Sequence, residues 1–338
     1  MKSRISPSDF LRKNWLLVGI LFCIILAAIY PHLGSKEGPL RTEYTVKYGA
    51  VFIIFLISGL SIKTDSILKT FRHYKLHLFI QCFTFIFVPY FTQNFIKLLN
   101  LFGINVWILK GLITVACMPP PVSSAVILTR AAQGNETASI FNSIIGSFMG
   151  VLLTPLHLLN QLGSTTIIPI GSTIVQLTST VLLPLVLGQF VISVTGFRGQ
   201  KYRLNTISQF ALLFVIYTTF CDTFTTPEAG LSALDVIITI LSVFILQIVL
   251  MILSFKLSAL LNKDFSPQDK IAIVFCSTHK SLTLGIPILR IMFHGYSHLS
   301  QISLPLLVYH PTQIILGGLI VPQLKDWVHS QRRYKALV

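Results

Sequence analysis

Two polar interruptions carry the chemistry of this chain. The first is Cys117-Met118-Pro119-Pro120-Pro121-Val122-Ser123-Ser124. The second is Cys276-Ser277-Thr278-His279-Lys280-Ser281-Leu282-Thr283-Leu284-Gly285-Ile286-Pro287. Both sit inside apolar sequence, and each would break a helix: Pro119, Pro120 and Pro121 in one, Gly285 and Pro287 in the other. Backbone groups freed at membrane depth are tolerated only beside protein or a water-lined cavity. Paired breaks about half a chain apart point to a carrier's binding site. The groups on offer bind rather than make bonds: the hydroxyls of Thr278 and Ser281, the His279 imidazole and the Lys280 ammonium.

Lys280 needs the most explanation. An ionisable side chain at membrane depth costs at least about 2.5–3.5 kcal/mol and marks function by default. Three roles fit it. Its ammonium stands in for a sodium ion, or it titrates and couples proton movement with His279 as partner, or it attracts an anionic substrate. Snorkelling to a wet surface is the ordinary alternative. Tyr309, His310, Pro311 and Gln313 form a further polar knot, placing His310 and Gln313 among the substrate or gating candidates. There the proline frees a backbone carbonyl that the histidine can also simply satisfy.

Ten apolar stretches must position these groups, each long enough for a hydrocarbon core of about 30 Å. They run roughly 15–30, 45–61, 76–99, 107–131, 138–160, 167–195, 207–224, 234–261, 270–293 and 300–322. The expected fold is an all-α multispanning membrane protein of two inverted five-helix repeats, 15–160 and 167–322, with the fourth helix of each broken. Tails 1–14 and 323–338 flank them. The composition agrees: 53% hydrophobic and 11% charged, against about a quarter charged in soluble domains.

Basic residues set the expected orientation. Lys2, Arg4, Arg12 and Lys13 in the N-terminal tail, Lys63, Lys69, Arg72 and Lys75 in the next loop on that side, and Lys325, Arg332, Arg333 and Lys335 at the C-terminus far outnumber acidic neighbours. The opposite loops balance, so both termini are expected in the cytoplasm. The net charge of +15 is then a topology signal and not a nucleic-acid footprint. Asn135-Glu136-Thr137 matches a glycosylation acceptor but falls on the cytoplasmic side of this map. The five cysteines lie in apolar segments without metal-ligand spacing. Asp222, Glu228 and Asp235 read as solvated loop residues or as an acidic outer mouth that concentrates cations.

The runs Gly111–Thr129 and Phe275–Pro287, with Tyr217–Phe224 and Tyr309-His310-Pro311, resemble the bile acid:sodium symporter family over essentially the whole chain. That resemblance implies that the two broken helices cross and that a panel domain moves against a core domain by alternating access. It implies sodium ligands at Ser123 and Ser124 in the first break, at Ser139, Asn142 and Ser143 in the next helix, and at Gln81 and Thr84 in the third. Packing hydroxyls between helices are the plain alternative. The second break departs from the family pattern. No carboxylate stands between Asp269 and the end of that helix, and His279-Lys280 replaces an amide pair. The expected reading is therefore a carrier that does not move bile acids, with Na⁺ or H⁺ coupling open and no cofactor. Its partners would be the lipid bilayer and a small solute or ion.

The branch most resembled implies a role in calcium homeostasis and in plasma-membrane, endoplasmic reticulum or Golgi membranes, including glycoprotein and glycosaminoglycan maturation. A competing expectation is a non-transporting regulator acting on calcium-entry machinery. An enzyme is disfavoured, since His279 near Ser277 and Ser281 has no acidic orienter.

Overall fold

The structure, a computed structural model, describes residues 15–35, 38–61, 73–162, 175, 178–195, 204–225, 232–260, 264–293 and 298–337. Most of the described residues are helical, and none of them forms a strand. The principal helices are α1 (Trp15–Ile29), α2 (Val51–Ser61), α3 (Tyr74–Asn100), α4a (Val106–Ala116), α4b (Val122–Ala131) and α5 (Glu136–Leu162). They continue with α6 (Thr178–Thr195), α7 (Leu204–Thr225), α8 (Ala233–Leu260), α9a (Pro267–Thr278), α9b (Leu282–Met292) and α10 (Leu299–Leu337). A helix lies on every apolar stretch read from the sequence. Of the sixth stretch, residues 167–174, 176 and 177 lie outside the described set. Six helical runs are long and apolar enough to cross a membrane, and four shorter apolar helices accompany them. This is a multi-pass membrane protein.

Two compact units form, and neither follows one half of the chain. One gathers α1, α2, α6, α7 and the segment Ile286–Ser300. The other holds α3, α4a, α4b, α5, α8, α9a and α10 from Gln301 onward. Both helix breaks belong to the second unit.

Local chemistry fixes where its helices start. Asn105 caps α4a, its side chain accepting the Trp107 N–H. At α9a, Ser266 and Asp269 form a reciprocal capping box, with Pro267 in the first turn where its missing N–H costs nothing. Asn135 ties two of these elements together. Its Oδ1 accepts the Ala138 N–H at the start of α5, while its Nδ2 donates to Asp269 at 2.7 Å.

Small residues bring the break against its neighbours. A Cβ on Gly146 would lie 2.5 Å from Pro120, and one on Gly150 2.4 Å from Pro119. Spaced four apart on α5, these glycines make the slot that receives the proline pair. Gly111 lets the α4a backbone approach the Ile302 carbonyl of α10. A buried cluster that includes Leu76, Ile80, Ala125, Met251, Ile271, Phe275 and Val328 surrounds α9a. α10 runs on as helix beyond the stretch expected to end at 322, and Trp327 and Val328 join that cluster.

A buried ammonium at two interlocked helix breaks

Each break is a short extended segment. Pro121 takes φ −81°, ψ 142° ahead of α4b, and His279 takes φ −77°, ψ 145° after α9a. Helix ends leave carbonyls without helical partners, so the acceptors of the first break must find donors elsewhere. Thr154 of α5 donates its hydroxyl to Cys117 O at 2.8 Å. The Ser281 N–H reaches Pro119 O at 2.8 Å, so the backbone of one break bonds the other directly. Ala116 O and Met118 O both accept from Lys280 Nζ at 2.9 Å.

The third acceptor of Lys280 is Thr84 O of α3, at 3.3 Å. A mid-helix carbonyl is normally taken, and this one is free for a legible reason. Residues Phe83–Phe87 form a wide π-type turn in which the Val88 N–H bonds Phe83 O. The next residue in register for Thr84 O is Pro89, which has no N–H to give. The three protons of one ammonium thus meet three backbone oxygens.

Lys280 is fully buried, among the largest side chains in the protein with no exposure. None of the ion pairs among the described residues includes it. Its charge is balanced by oriented carbonyls, including those at the C-terminal end of α4a, where the helix dipole favours a cation. The cage presents three neutral oxygens to Nζ.

The backbone of Lys280 is held separately. Gln313 of α10 accepts the Lys280 N–H at 2.7 Å and donates to Lys280 O at 3.0 Å. Its amide also donates to His310 Nδ1 at 3.3 Å. One turn before, Tyr309 donates its hydroxyl to Thr278 O at 2.7 Å. The polar knot of α10 therefore splints the second break.

His279 does not partner Lys280. Successive residues in extended backbone point to opposite sides, and His279 turns toward Ser124 Oγ, 3.4 Å from its Nδ1, with its ring edge-on to Phe275. Its Nε2 has no protein partner.

The remaining candidates separate by role. Ser139 Oγ touches Cys276 Sγ at 3.1 Å and receives the Thr129 hydroxyl at 3.3 Å; Ser143 Oγ lies 3.9 Å from the same sulfur. Hydroxyls thus lie beside a thiol where the resemblance implied a carboxylate. Asn142 bonds His77 and Ala138 O and accepts from Gln81, whose Oε1 is left without a partner. The Thr278 hydroxyl returns to Val274 O, and Ser281 Oγ meets Thr283 and the Leu284 N–H. Gly285 packs against Met118 and Leu306. The side chain of Ser123 lies outside the described set.

Sequence reasoning missed the roles of Thr154, of Tyr309 and of the Thr84 carbonyl. Pro89, five residues after Thr84, was the available signal for the last. Asp222, in the first unit, pairs with the buried Arg290 guanidinium at 3.0 Å, while Arg290 Nη1 donates to Thr219. That carboxylate is engaged by Arg290 and is not simply a solvated mouth group.

Helices of membrane-spanning length, two interlocked breaks and a caged internal cation define a multi-pass protein of transporter type. The model of the SBF-like CPA transporter family matches residues 14–326. Sodium/bile acid cotransporter 7-B of Xenopus laevis is 50% identical over 96% of this chain and 95% of its own. Sodium/bile acid cotransporter 7 of Rattus norvegicus is 50% identical over 95% of both chains. Solute carrier RCH1 of Candida albicans is 26% identical over 96% of this chain and 91% of its own. The chain belongs to the SBF-like CPA transporter family, in the sodium/bile acid cotransporter 7 branch.

Proposed function

We propose that this protein is a secondary carrier in which the Lys280 ammonium permanently occupies the position of a coupling cation, so that transport does not use sodium there. The observation that carries this reading is the cage of Thr84 O, Ala116 O and Met118 O around Nζ, with no carboxylate in it. Neutral oxygens are what a hard monovalent cation exchanges for its hydration shell. On this reading the ten apolar helices all cross, as two inverted five-helix repeats with α4 and α9 broken and crossing and both termini cytoplasmic. The unit carrying the breaks is the core and the other the panel of an alternating-access cycle. The substrate is a small solute or ion other than a bile acid. A role in calcium homeostasis and in secretory-pathway membranes belongs to the proposal and rests on branch resemblance.

The test is sodium-dependent thermal stability of the purified protein, choline replacing sodium at constant ionic strength. Wild type should be insensitive, and Lys280→Ala should gain stability as sodium enters the vacated cage. At 100 times its dissociation constant, a bound ion adds about 2.7 kcal/mol. Equal sodium stabilisation of wild type would defeat the reading.

A further inference from the structure

His77, in the first turn of α3, is buried, and its ring lies against Phe141 of α5 with centroids 4.2 Å apart. Its Nδ1 is 2.8 Å from Nδ2 of Asn142, also on α5 and fully buried. Two backbone carbonyls decide which of these nitrogens donates, because a carbonyl can only accept. Asn142 Nδ2 donates to Ala138 O at 2.9 Å, so that end of the amide is the NH2. Gln81 Nε2 donates to the Asn142 carbonyl at 3.1 Å and to Asn142 Oδ1 at 3.2 Å, which fixes the other end as the acceptor. With both amides oriented in this way, His77 Nδ1 must accept. The imidazole is then the neutral tautomer that carries its proton on Nε2.

A proton on Nδ1 sets an N–H against the Asn142 NH2, two donors face to face. Turning the Asn142 amide over restores a bond, from Nδ1–H to Oδ1, but it gives up Ala138 O and points the NH2 at Gln81 Nε2. Gln81 answers that change by presenting Oε1, the acceptor it leaves unused in the present arrangement. The series His77, Asn142, Gln81 thus has two internally consistent settings, and one proton selects between them.

We propose that His77 is a proton-binding site whose charge sets the orientation of the Asn142 and Gln81 amides. Gln81 stands three residues before Thr84, so the setting is delivered about one helical turn from a carbonyl that holds Lys280. The proposal does not depend on the role given to Lys280. α3 packs at this end against α5 and α9a, whose titratable groups are engaged elsewhere. Glu136 bonds Arg130, Asp269 bonds Ser266 and Asn135, Lys270 lies over the Trp327 ring, and the Cys276 thiol meets Ser139 and Ser143. On α3 itself Lys75 pairs with Asp264, and His73 and Tyr74 are exposed. His77 is the titratable group bonded to the amide series.

NMR of the imidazole nitrogens tests this, in full-length protein isotope-labelled at histidine and held in lipid nanodiscs. The His77 signals are assigned by their loss in His77→Gln, whose side-chain carbonyl can accept the same bond. Between about pH 8 and pH 5, wild-type His77 should pass from a bare Nδ1 with a protonated Nε2 to protons on both nitrogens. Gln81→Glu offers acceptors only, so it should draw the Asn142 NH2 toward itself and leave Oδ1 to His77. Proton affinity at His77 should then rise about tenfold or more, because coupling is reciprocal. Adding Asn142→Leu to Gln81→Glu removes the link and should return most of that gain. A protonated Nδ1 at the alkaline end, or an imidazole that stays neutral throughout, would overturn the proposal, and both are read on wild type whether or not the variants fold. So would a Gln81→Glu variant without the gain, or a gain that survives Asn142→Leu.

Discussion

Gln313→Leu isolates what the α10 splint contributes. The leucine keeps approximate bulk but removes the acceptor for the Lys280 N–H and the donor to Lys280 O, bonds of 2.7 and 3.0 Å in a fully buried place. Two backbone groups then stand without these bonds at a depth where bulk water does not reach. Each such loss costs about 1–3 kcal/mol, so the pair amounts to about 2–6 kcal/mol. For a chain of this size about 2 °C of melting temperature follows each kcal/mol, so the fall should be about 4–12 °C. Scanning fluorimetry of the detergent-purified protein reads it directly. A leucine variant within about 1 °C of wild type would refute the account, because two backbone bonds of this burial cannot both be replaced at no cost.

Three further outcomes follow from the same structure. Arg290→Ala strips the ion pair from Asp222, whose side chain is 22% exposed. Breaking a fully buried pair costs about 3–5 kcal/mol, and the partial exposure reduces this to about 2–3 kcal/mol; the double change Arg290→Met with Asp222→Leu should recover most of it in thermal unfolding. Asn135 should carry no glycan, since its amide nitrogen is spent on Asp269; glycosidase treatment should leave gel mobility unchanged, and Asn135→Ala should cost about 1 kcal/mol through the lost α5 cap. The Glu136 carboxyl is held below its ordinary range by hydrogen bonding to Arg130. A depressed carboxylate adds stability above its unfolded value and loses it as pH falls through the folded one. Melting of wild type should therefore drop relative to Glu136→Gln below about pH 4.3.

The parts of the site visible in the sequence were those marked by residue type. Three prolines announced the first break and a lysine at membrane depth announced the centre, but the second break falls at His279–Ser281, and Gly285 and Pro287, expected to make it, stand inside α9b. What could not be read was the partner of that lysine, because its acceptors are main-chain oxygens of Ala116, Met118 and Thr84, which any residue supplies. Only Pro89 left a trace, by withholding an N–H from Thr84. The adjacency of His279 and Lys280 misled for a related reason. In a helix they would share a neighbourhood, but the extended break turns them apart. Gln313 was visible as polar sequence in an apolar helix, and its double bond to one backbone residue required the fold.

The cage also bears on the uses open to Lys280. Each of its three protons has an oxygen acceptor, so the seated ammonium has none left for a substrate anion. Its influence on such a solute would act through the field and not through contact. A second cation beside it meets about 4 kcal/mol of repulsion at 4 Å and an effective dielectric of 20, close to a thousandfold in affinity. A proton relay through His279 lacks its first link, since that imidazole bonds Ser124 and faces away. On the proposed reading, Lys280 is a tethered cation that holds α3 and both breaks in one arrangement. On that reading the covalent tether would make assembly of this geometry independent of sodium. The proposed carrier would then keep the family's moving parts while its cycle answers to the solute.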